Sequence, residues 1–542
     1  VARGEREQWA SRIGVILAVA GSAVGLGNFL RFPGLAAKYG GGAFMIPYFV
    51  SLVLLGIPIC WCEWTLGRYG GNRGFNSAPG VFRVLTRSGN SVYFGVLAII
   101  VPLGIYMYYV FIESWCLAYA WYYLTGSMPT SVGADTAPFV EFFSRFVGMK
   151  EDGLLLEGTS HISPAVLFLI VAFTINFYLI FQGLSKGIEN FCKWAMPALI
   201  IAALMVLLRV LTLGTPNPDL PERNVSNGLG FMWNLKLPEG GSIWSYINPY
   251  DNPEIWLQAA GQIFFSLSVG FGIVMTYASY LKAKDDVVLS GLTASATNEF
   301  CEVCLGGLIT VPAAFIFLGG ETITNAAGSS LKMGFLTLPA VFERMPIGHF
   351  FGFLWFFLLF LAAITSSISM LQPVIAFLEE GFNLGRRASS TILGMISLIG
   401  SFFVVYFSKD LEALDTMDFW VGQVCIFLLG TTTVIFFGWV LGIDKGFEEA
   451  HRGAHIRIPG IFRFIIRYVS PLYLIGIFCL FIYSNVILGY QQEGSYVYKI
   501  LHSPVTQMTV GLILIIAVFF TILVHLARRR WEAVELSSKG AN

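Results

Sequence analysis

Charge is what this chain has least of. Only 12% of its 542 residues are Asp, Glu, Lys or Arg, against 56% hydrophobic and 15% aromatic, and the mean hydropathy is +0.71. That balance excludes a water-soluble domain. There is no low-complexity tract, and no polar stretch is long enough to form an appended soluble domain. The eight cysteines, Cys60, Cys62, Cys116, Cys192, Cys301, Cys304, Cys425 and Cys479, lie in or beside apolar runs, so none is placed for an extracellular disulfide. Cys301 and Cys304 have C-x-x-C spacing without a second pair, and packing explains them better than metal or redox chemistry. The six histidines do not pair with carboxylates in a metal motif, and no Ser–Lys or Asp–Asp constellation emerges, which argues against an intramembrane enzyme. No cleavable leader is expected, because Val1 to Arg12 is charged and the apolar run after it lacks a small-residue cleavage pattern.

What is present is a series of about twelve apolar runs, each near the roughly 20 residues that cross a bilayer. They fall at about 13–37, 42–66, 90–124, 164–183, 191–213, 255–281, 287–318, 350–378, 391–408, 417–441, 468–488 and 506–527. The segment 68–87 carries Arg68, Arg73, Arg83 and Arg87 and no acid, whereas 128–161 carries Asp135, Glu141, Glu151, Asp152 and Glu157. By the positive-inside rule the first loop is cytoplasmic and the second external. Alternation then puts Lys186, Lys193, Lys282, Lys284, Arg386, Arg387 and the basic stretch 452–467 inside, with both termini cytoplasmic.

Two of the runs are interrupted where a helix ought to be continuous. The first contains "GSAVGLGNFLRFP" at 21–33, with Gly21, Gly25 and Gly27 ahead of Asn28 and Arg31. The sixth, "IWLQAAGQIFFSLSVGFGIVMTYASYL" from Ile255, is broken by Ser266, Ser268, Gly270 and Gly272. Freeing backbone polar groups in hydrocarbon costs several kcal/mol each and is tolerated where they line a site. Freed carbonyls suit Na⁺, and the positive N-terminus of the following half-helix suits a carboxylate. The two breaks lie five spans apart, and because five is odd the second enters the membrane from the opposite side. That pairing predicts an all-α polytopic membrane protein of two inverted five-helix repeats with broken first and sixth helices. The repeats cover about 12–213 and 242–441, and two extra helices occupy about 460–530, as one transmembrane transporter domain.

The stretch at 21–33, "GGGAFMIPY" at 40–48, "GQIFFSLSVGFG" at 261–272, "TSSIS" at 365–369 and "MDFW" at 417–420 together resemble the neurotransmitter:sodium symporter family. Its bacterial leucine-transporting branch is the nearest likeness, and the resemblance runs from about Arg6 to the Arg528–Arg530 cluster. It implies two Na⁺ ions. The first would take Ala23, Asn28, Ser266 and Asn298, all hard oxygen donors, with the substrate carboxylate completing the set. The second would take Gly21, Val24, Ala362, Thr365 and Ser366. The bland role of Thr365 and Ser366 is bonding their own helix.

For the substrate, the resemblance places the ammonium on Ala23, Phe265 and Ser366, and the carboxylate on the Leu26 and Gly27 amides and the Tyr109 hydroxyl. Ser266 stands beside it, and the side chain would meet Ile105, Tyr109, Phe265, Ser268, Phe271, Ser367 and Met370. Amine-transporting relatives carry Asp where this chain has Gly25, so Gly25 implies a substrate that brings its own carboxylate. Arg31 and Asp418 would pair as the outer gate above an aromatic lid of Tyr109 and Phe265, and Arg6 and Glu380 as the inner gate. Glu302, with Tyr48 and Gln262, would stand in for the chloride ion of animal relatives, so no chloride is required. Protonation of Glu302 after sodium leaves is a route for a returning proton, which the sequence leaves open. The expectation is thus a sodium-coupled symporter of small to medium apolar neutral α-amino acids, of leucine, alanine, methionine and valine type, and not an enzyme. It is expected in a plasma membrane of bacterial inner-membrane type. Its partners are the amino acid and the lipid bilayer, with no nucleic acid, and pairing as a homodimer is left open. A channel is the rival reading, and counterflow separates the two.

Overall fold

Hydrocarbon leaves the backbone no partner but itself, so every span is helical. The computed structural model describes residues 7–86, 89–130, 136–149, 163–237, 241–249, 252–326, 329–493 and 495–540, and among them there is no strand, only a bridge between Gly41 and Leu235. Among the described residues ten helices are long and apolar enough to cross a membrane: Gly42–Gly71, Gly89–Thr125, Pro164–Phe181, Leu184–Leu211, Val287–Leu318, Gly348–Phe382, Arg386–Tyr406, Lys409–His451, Ile461–Ile487 and Pro504–Glu535. An eleventh is the bent pair Arg12–Ala23 and Gly27–Lys38. The remaining apolar run forms Pro253–Leu267 and Ile273–Ser279, on either side of a second break. Each is called below by its order in the chain, from the bent first span to the twelfth, Pro504–Glu535.

Short polar side chains set several starts. Ser11 accepts from the Gly14 N–H ahead of the first span, and Asp286 accepts from the Leu289 N–H ahead of the seventh. The spans are not equally buried. In the most apolar stretch, 94% of third-span residues are buried by protein, but only 22% of twelfth-span residues, which makes the third span interior and the twelfth lipid-facing. The eighth span is long and packs along the third, and the broken first and sixth spans lie against this pair. All eight cysteines are free.

The apolar run expected at 506–527 ends before its helix does. The twelfth helix continues past its apolar stretch to Gly540, where Arg528 pairs with Glu532 at 2.8 Å one turn on, since charged residues at helical spacing prolong a helix once it has left the lipid.

Candidate functional site

The two breaks meet. In the first span the helix stops at Val24, whose N–H still reaches Ala20 O at 2.7 Å, and the two halves are bent by 48°. The Gly25 N–H freed there donates to Asn28 Oδ1 at 2.8 Å. In the sixth span the break runs through Ser268, Gly270 and Gly272, at φ 52°, 76° and 78°, a backbone region that glycine enters without strain. The freed Gly270 N–H donates to Glu63 Oε1 of the second span at 2.8 Å. Ser268 Oγ donates to Ser22 O at 2.8 Å, joining one break to the other.

Between them lies a small cavity lined by Ser22, Ala23, Gly25, Gly27, Asn28, Tyr109, Phe265, Ser268, Phe271, Ser366 and Met370. Its first wall is opened backbone and hydroxyls, its second Phe265, Phe271 and Met370. A Cβ at Gly25 would stand 3.1 Å from both Ser366 Oγ and Tyr109 Oη, so no side chain fits there without displacing two polar groups. Leu26 N–H donates to Tyr109 Oη at 3.4 Å, which holds that hydroxyl at the start of the second half-helix. Four residues expected at the substrate do not line the cavity: Leu26 faces the vestibule above it, Ser266 turns its hydroxyl to Asn298, and Ile105 and Ser367 lie elsewhere. Ile105 is fully buried but does not line the cavity. Ser367 turns its hydroxyl to Asn176 of the fourth span at 2.7 Å, because neighbouring residues on a helix point about 100° apart.

Oxygens gather at two points beside the cavity. Asn28 Nδ2 donates to Asn298 Oδ1 at 2.8 Å, and Asn298 Nδ2 lies 2.6 Å from Ser266 Oγ. In this orientation Asn298 Oδ1 also faces Ala23 O at 3.2 Å and Ser266 O at 3.0 Å. With the amide turned so that its nitrogen occupies that end, Asn298 donates to both carbonyls and its oxygen accepts from Ser266 Oγ. Either way the side-chain oxygens of Asn28, Asn298 and Ser266 and the Ala23 carbonyl, all hard donors, lie together. At the second point Ser366 Oγ, with one proton to give, lies within hydrogen-bond reach of Gly21 O at 3.3 Å, Ser22 O at 3.1 Å and Ala362 O at 3.0 Å. Thr365 Oγ1 bonds Leu361 O at 3.0 Å and Ala362 O at 3.1 Å in its own helix, and only Ser366 reaches across to the first span.

Behind the first point lies a buried acid. Gln262 Nε2 donates to Glu302 Oε1 at 2.6 Å, and Asn28 and Asn298 approach Glu302 Oε2 at 3.3 and 3.4 Å. The Tyr48 hydroxyl, expected with Glu302 beside the first ion, donates at 2.8 Å to Glu299, one position beyond Asn298, and is within hydrogen-bonding reach of Glu302 as well. Glu299 was not singled out in the sequence, nor were Glu63 and Glu113, although an acid inside an apolar run was the signal in each case.

At one end a vestibule of about 850 Å³ reaches down to Leu26, Gly27, Tyr109 and Phe265. Arg31 and Asp418 both line it, yet they do not pair. Tyr108 donates to Asp418 Oδ1 at 2.6 Å, and the Arg31 guanidinium sits 5.4 Å from the centre of the Phe265 ring. The expected outer ion pair is therefore not formed in this open arrangement, where the vestibule separates the two side chains. The opposite end is sealed. Trp9 Nε1 donates to Tyr277 O at 2.9 Å, Ala10 N–H and Ser11 Oγ donate to Glu189 at 2.8 Å each, and Arg12 meets Asp286 at 3.2 Å. Glu380 accepts from the Ser77 N–H and Oγ at 2.9 Å each, while Arg6 lies outside the described residues.

A helical bundle with two broken spans meeting at a buried polar site, open at one end and closed at the other, is the architecture of a secondary transporter. The chain belongs to the sodium:neurotransmitter symporter family, whose description matches residues 6–135 and 127–532. Among its relatives is an uncharacterised sodium-dependent transporter of Methanocaldococcus jannaschii, 29% identical over 479 residues, 87% of this chain and 90% of that one. Another is the sodium- and chloride-dependent taurine transporter of Bos taurus, 25% identical over 91% of this chain and 80% of that one. The solved structure of MhsT in complex with L-phenylalanine is similar with a TM-score of 0.72 and 26% identity, covering 88% of this chain and 99% of that one. The protein is a sodium-coupled membrane transporter and not an enzyme.

Proposed function

We propose that the protein is a symporter of small to medium apolar neutral α-amino acids, driven by two Na⁺ ions and independent of chloride. The observation that carries this is the cavity where the breaks meet, polar on the backbone side, apolar opposite, and tight at Gly25, where a Cβ would press on Ser366 Oγ and Tyr109 Oη. A zwitterion with an apolar side chain matches those walls. Its ammonium would lie among the carbonyls of Ala23 and Phe265 and the Ser366 position, and its carboxylate would meet the Leu26 and Gly27 N–H groups and Tyr109. That carboxylate also completes the first sodium set, Ala23, Asn28, Ser266 and Asn298, so that ion and substrate each strengthen the binding of the other. The L-phenylalanine bound in the MhsT structure is an apolar α-amino acid and supports the reading.

The second ion would lie among Gly21, Val24, Ala362, Thr365 and Ser366, between the first and eighth spans. The vestibule end faces outward and both termini lie inside, from the basic loops. The chain is organised as two inverted repeats, about 12–213 and 242–441, with two further helices, in a bacterial inner membrane. Each Na⁺ entering across 100 mV contributes about 2.3 kcal/mol, so two ions drive steep accumulation.

The test is reconstituted protein given a labelled aliphatic amino acid and challenged with each of the twenty. Displacement by apolar amino acids only in Na⁺, and accelerated uptake into preloaded vesicles, are the expected results. Equal uptake with Na⁺ replaced by choline sinks the proposal.

A further inference from the structure

Beside the proposed site lies a second set of polar groups that the transport reading does not use. Glu113 of the third span is fully buried. It follows Tyr109 by one helical turn and so shares its face. Both of its carboxyl oxygens accept from Asn176 Nδ2 of the fourth span, at 2.9 and 3.1 Å. The same nitrogen donates to Ala172 O at 3.0 Å, and Asn176 Oδ1 accepts from Ser367 Oγ of the eighth span at 2.7 Å. Asn176 and Ser367 are fully buried as well. Three polar side chains at this depth are costly, and such groups are kept in membranes chiefly for what they do.

The Asn176 nitrogen is held by Glu113 and Ala172 O, which fixes which end of the amide is the oxygen and turns that oxygen to the eighth span, where Ser367 bonds it. Ser366, the next residue, reaches the first span at Gly21 and Ser22. The eighth span is thus held on two sides, by Ser367 toward the fourth and third spans and by Ser366 toward the first.

We propose that the Glu113–Asn176–Ser367 chain is a positioning element that sets the rotation of the eighth span, and thereby the reach of Thr365 and Ser366 to sodium, with Glu113 acting as a hydrogen-bond acceptor rather than as a charge. The inference rests on the assignment of Thr365 and Ser366 to the second sodium site.

The experiment measures sodium dependence of substrate binding, and turnover at saturating sodium, in reconstituted protein. Ser367→Ala removes the hydroxyl that ties the eighth span to Asn176 and Glu113, its remaining partner being Ile364 O of its own helix, and is expected to raise the sodium needed for half-saturation about 3–10-fold, with saturated turnover within about twofold. Asn176→Leu is expected to raise it about tenfold or more. Glu113→Gln, which keeps the accepting oxygen, is expected to stay within about twofold of the wild type, and Glu113→Leu to follow Asn176→Leu. Thr365→Ala serves as the reference. If it leaves sodium dependence unchanged, the site assignment fails and the proposal with it. If it shifts sodium dependence while Ser367→Ala does not, or if Glu113→Gln behaves like Glu113→Leu, the positioning role is refuted on its own. Ser367→Ala leaves the Glu113–Asn176 bond intact, so it gives an answer even where the larger substitutions do not fold.

Discussion

Glu302→Gln removes one unit of charge from beside the proposed first sodium site and keeps the side chain's shape. The carboxylate is one amide away from the ion: Glu302 Oε2 is 3.3 Å from Asn28 Nδ2 and 3.4 Å from Asn298 Nδ2, and the oxygens of the same two amides are the proposed ligands. An amide in between puts the charge about 6 Å from the cation, where at an effective dielectric near 20 the attraction is about 3 kcal/mol, or about a hundredfold in affinity. A direct contact at about 4 Å would be worth about 4 kcal/mol, so the intervening amides weaken the effect without abolishing it. The assay is sodium dependence of substrate binding in chloride and in gluconate. The wild type should behave alike in both salts. Glu302→Gln should need up to about a hundredfold more sodium in either salt. Glu302→Ser, which also empties space, should do so in gluconate and recover in chloride. A wild type that stops working in gluconate refutes the reasoning, as does a Glu302→Ser variant that is identical in the two salts with unshifted sodium dependence.

Three other outcomes are expected. Asn28→Ala and Thr365→Ala should each weaken sodium binding, and Asn28→Ala should weaken substrate binding too, since the carboxylate shares that ion; wild-type sodium titrations in either variant reject the corresponding site. Arg31→Ala should lower transport more than it lowers substrate affinity, because in the open arrangement Arg31 lies over Phe265 and makes no ion pair with Asp418, so its contribution comes on closing; full turnover removes the gating role. Gly25→Ala should reduce substrate affinity by tenfold or more, roughly 1.4 kcal/mol, from a Cβ placed against Ser366 Oγ and Tyr109 Oη, and saturation binding at unchanged affinity contradicts the cavity geometry.

The breaks were legible in the sequence because their cost is chemical and local: glycines and serines in the middle of an apolar run free backbone that hydrocarbon cannot satisfy. The partners of single polar side chains were not legible. Ser366 and Ser367 look equivalent in "TSSIS", but one turns to the first span and the other to Asn176, and which does so depends on the rotation of a helix packed on several neighbours. Tyr48 was expected beside Glu302 and is there, but it also bonds Glu299, which was not foreseen, since the two acids lie three residues apart on one helix and one hydroxyl reaches both. Arg31 and Asp418 were read as a pair because opposite charges flank the same passage, but whether they meet depends on the state of the passage. Glu63 carried the same signal as Glu302, an acid in "WCEW" inside a hydrophobic run, and its partner is the backbone N–H of Gly270 in the other broken helix, which no local pattern announces.

The same geometry ties sodium to the direction of opening. Ser366 Oγ shares its one proton among Gly21 O and Ser22 O of the first span and Ala362 O of its own helix, and Ser268 Oγ donates to Ser22 O, so the hydroxyl protons occupy the space beside the carbonyls at the first break. A cation entering the proposed second site needs only the Ser366 proton to turn away, after which that oxygen and both carbonyls face the ion, and little backbone has to move. The oxygens of this set come from two elements, Gly21 and Val24 from the first span and Ala362, Thr365 and Ser366 from the eighth. Any motion that swings the first span away from the eighth on the amino-terminal side pulls the set apart. Sodium at the proposed second site would bind only the joined arrangement and would stabilise it in proportion to its own binding free energy. That is also the arrangement in which Trp9, Ser11 and Arg12 seal the same end. Sodium alone should therefore hold the protein with the vestibule open and the opposite end shut, leaving it to the substrate, bound against Tyr109 and Phe265 at the floor of the vestibule, to bring the open end together.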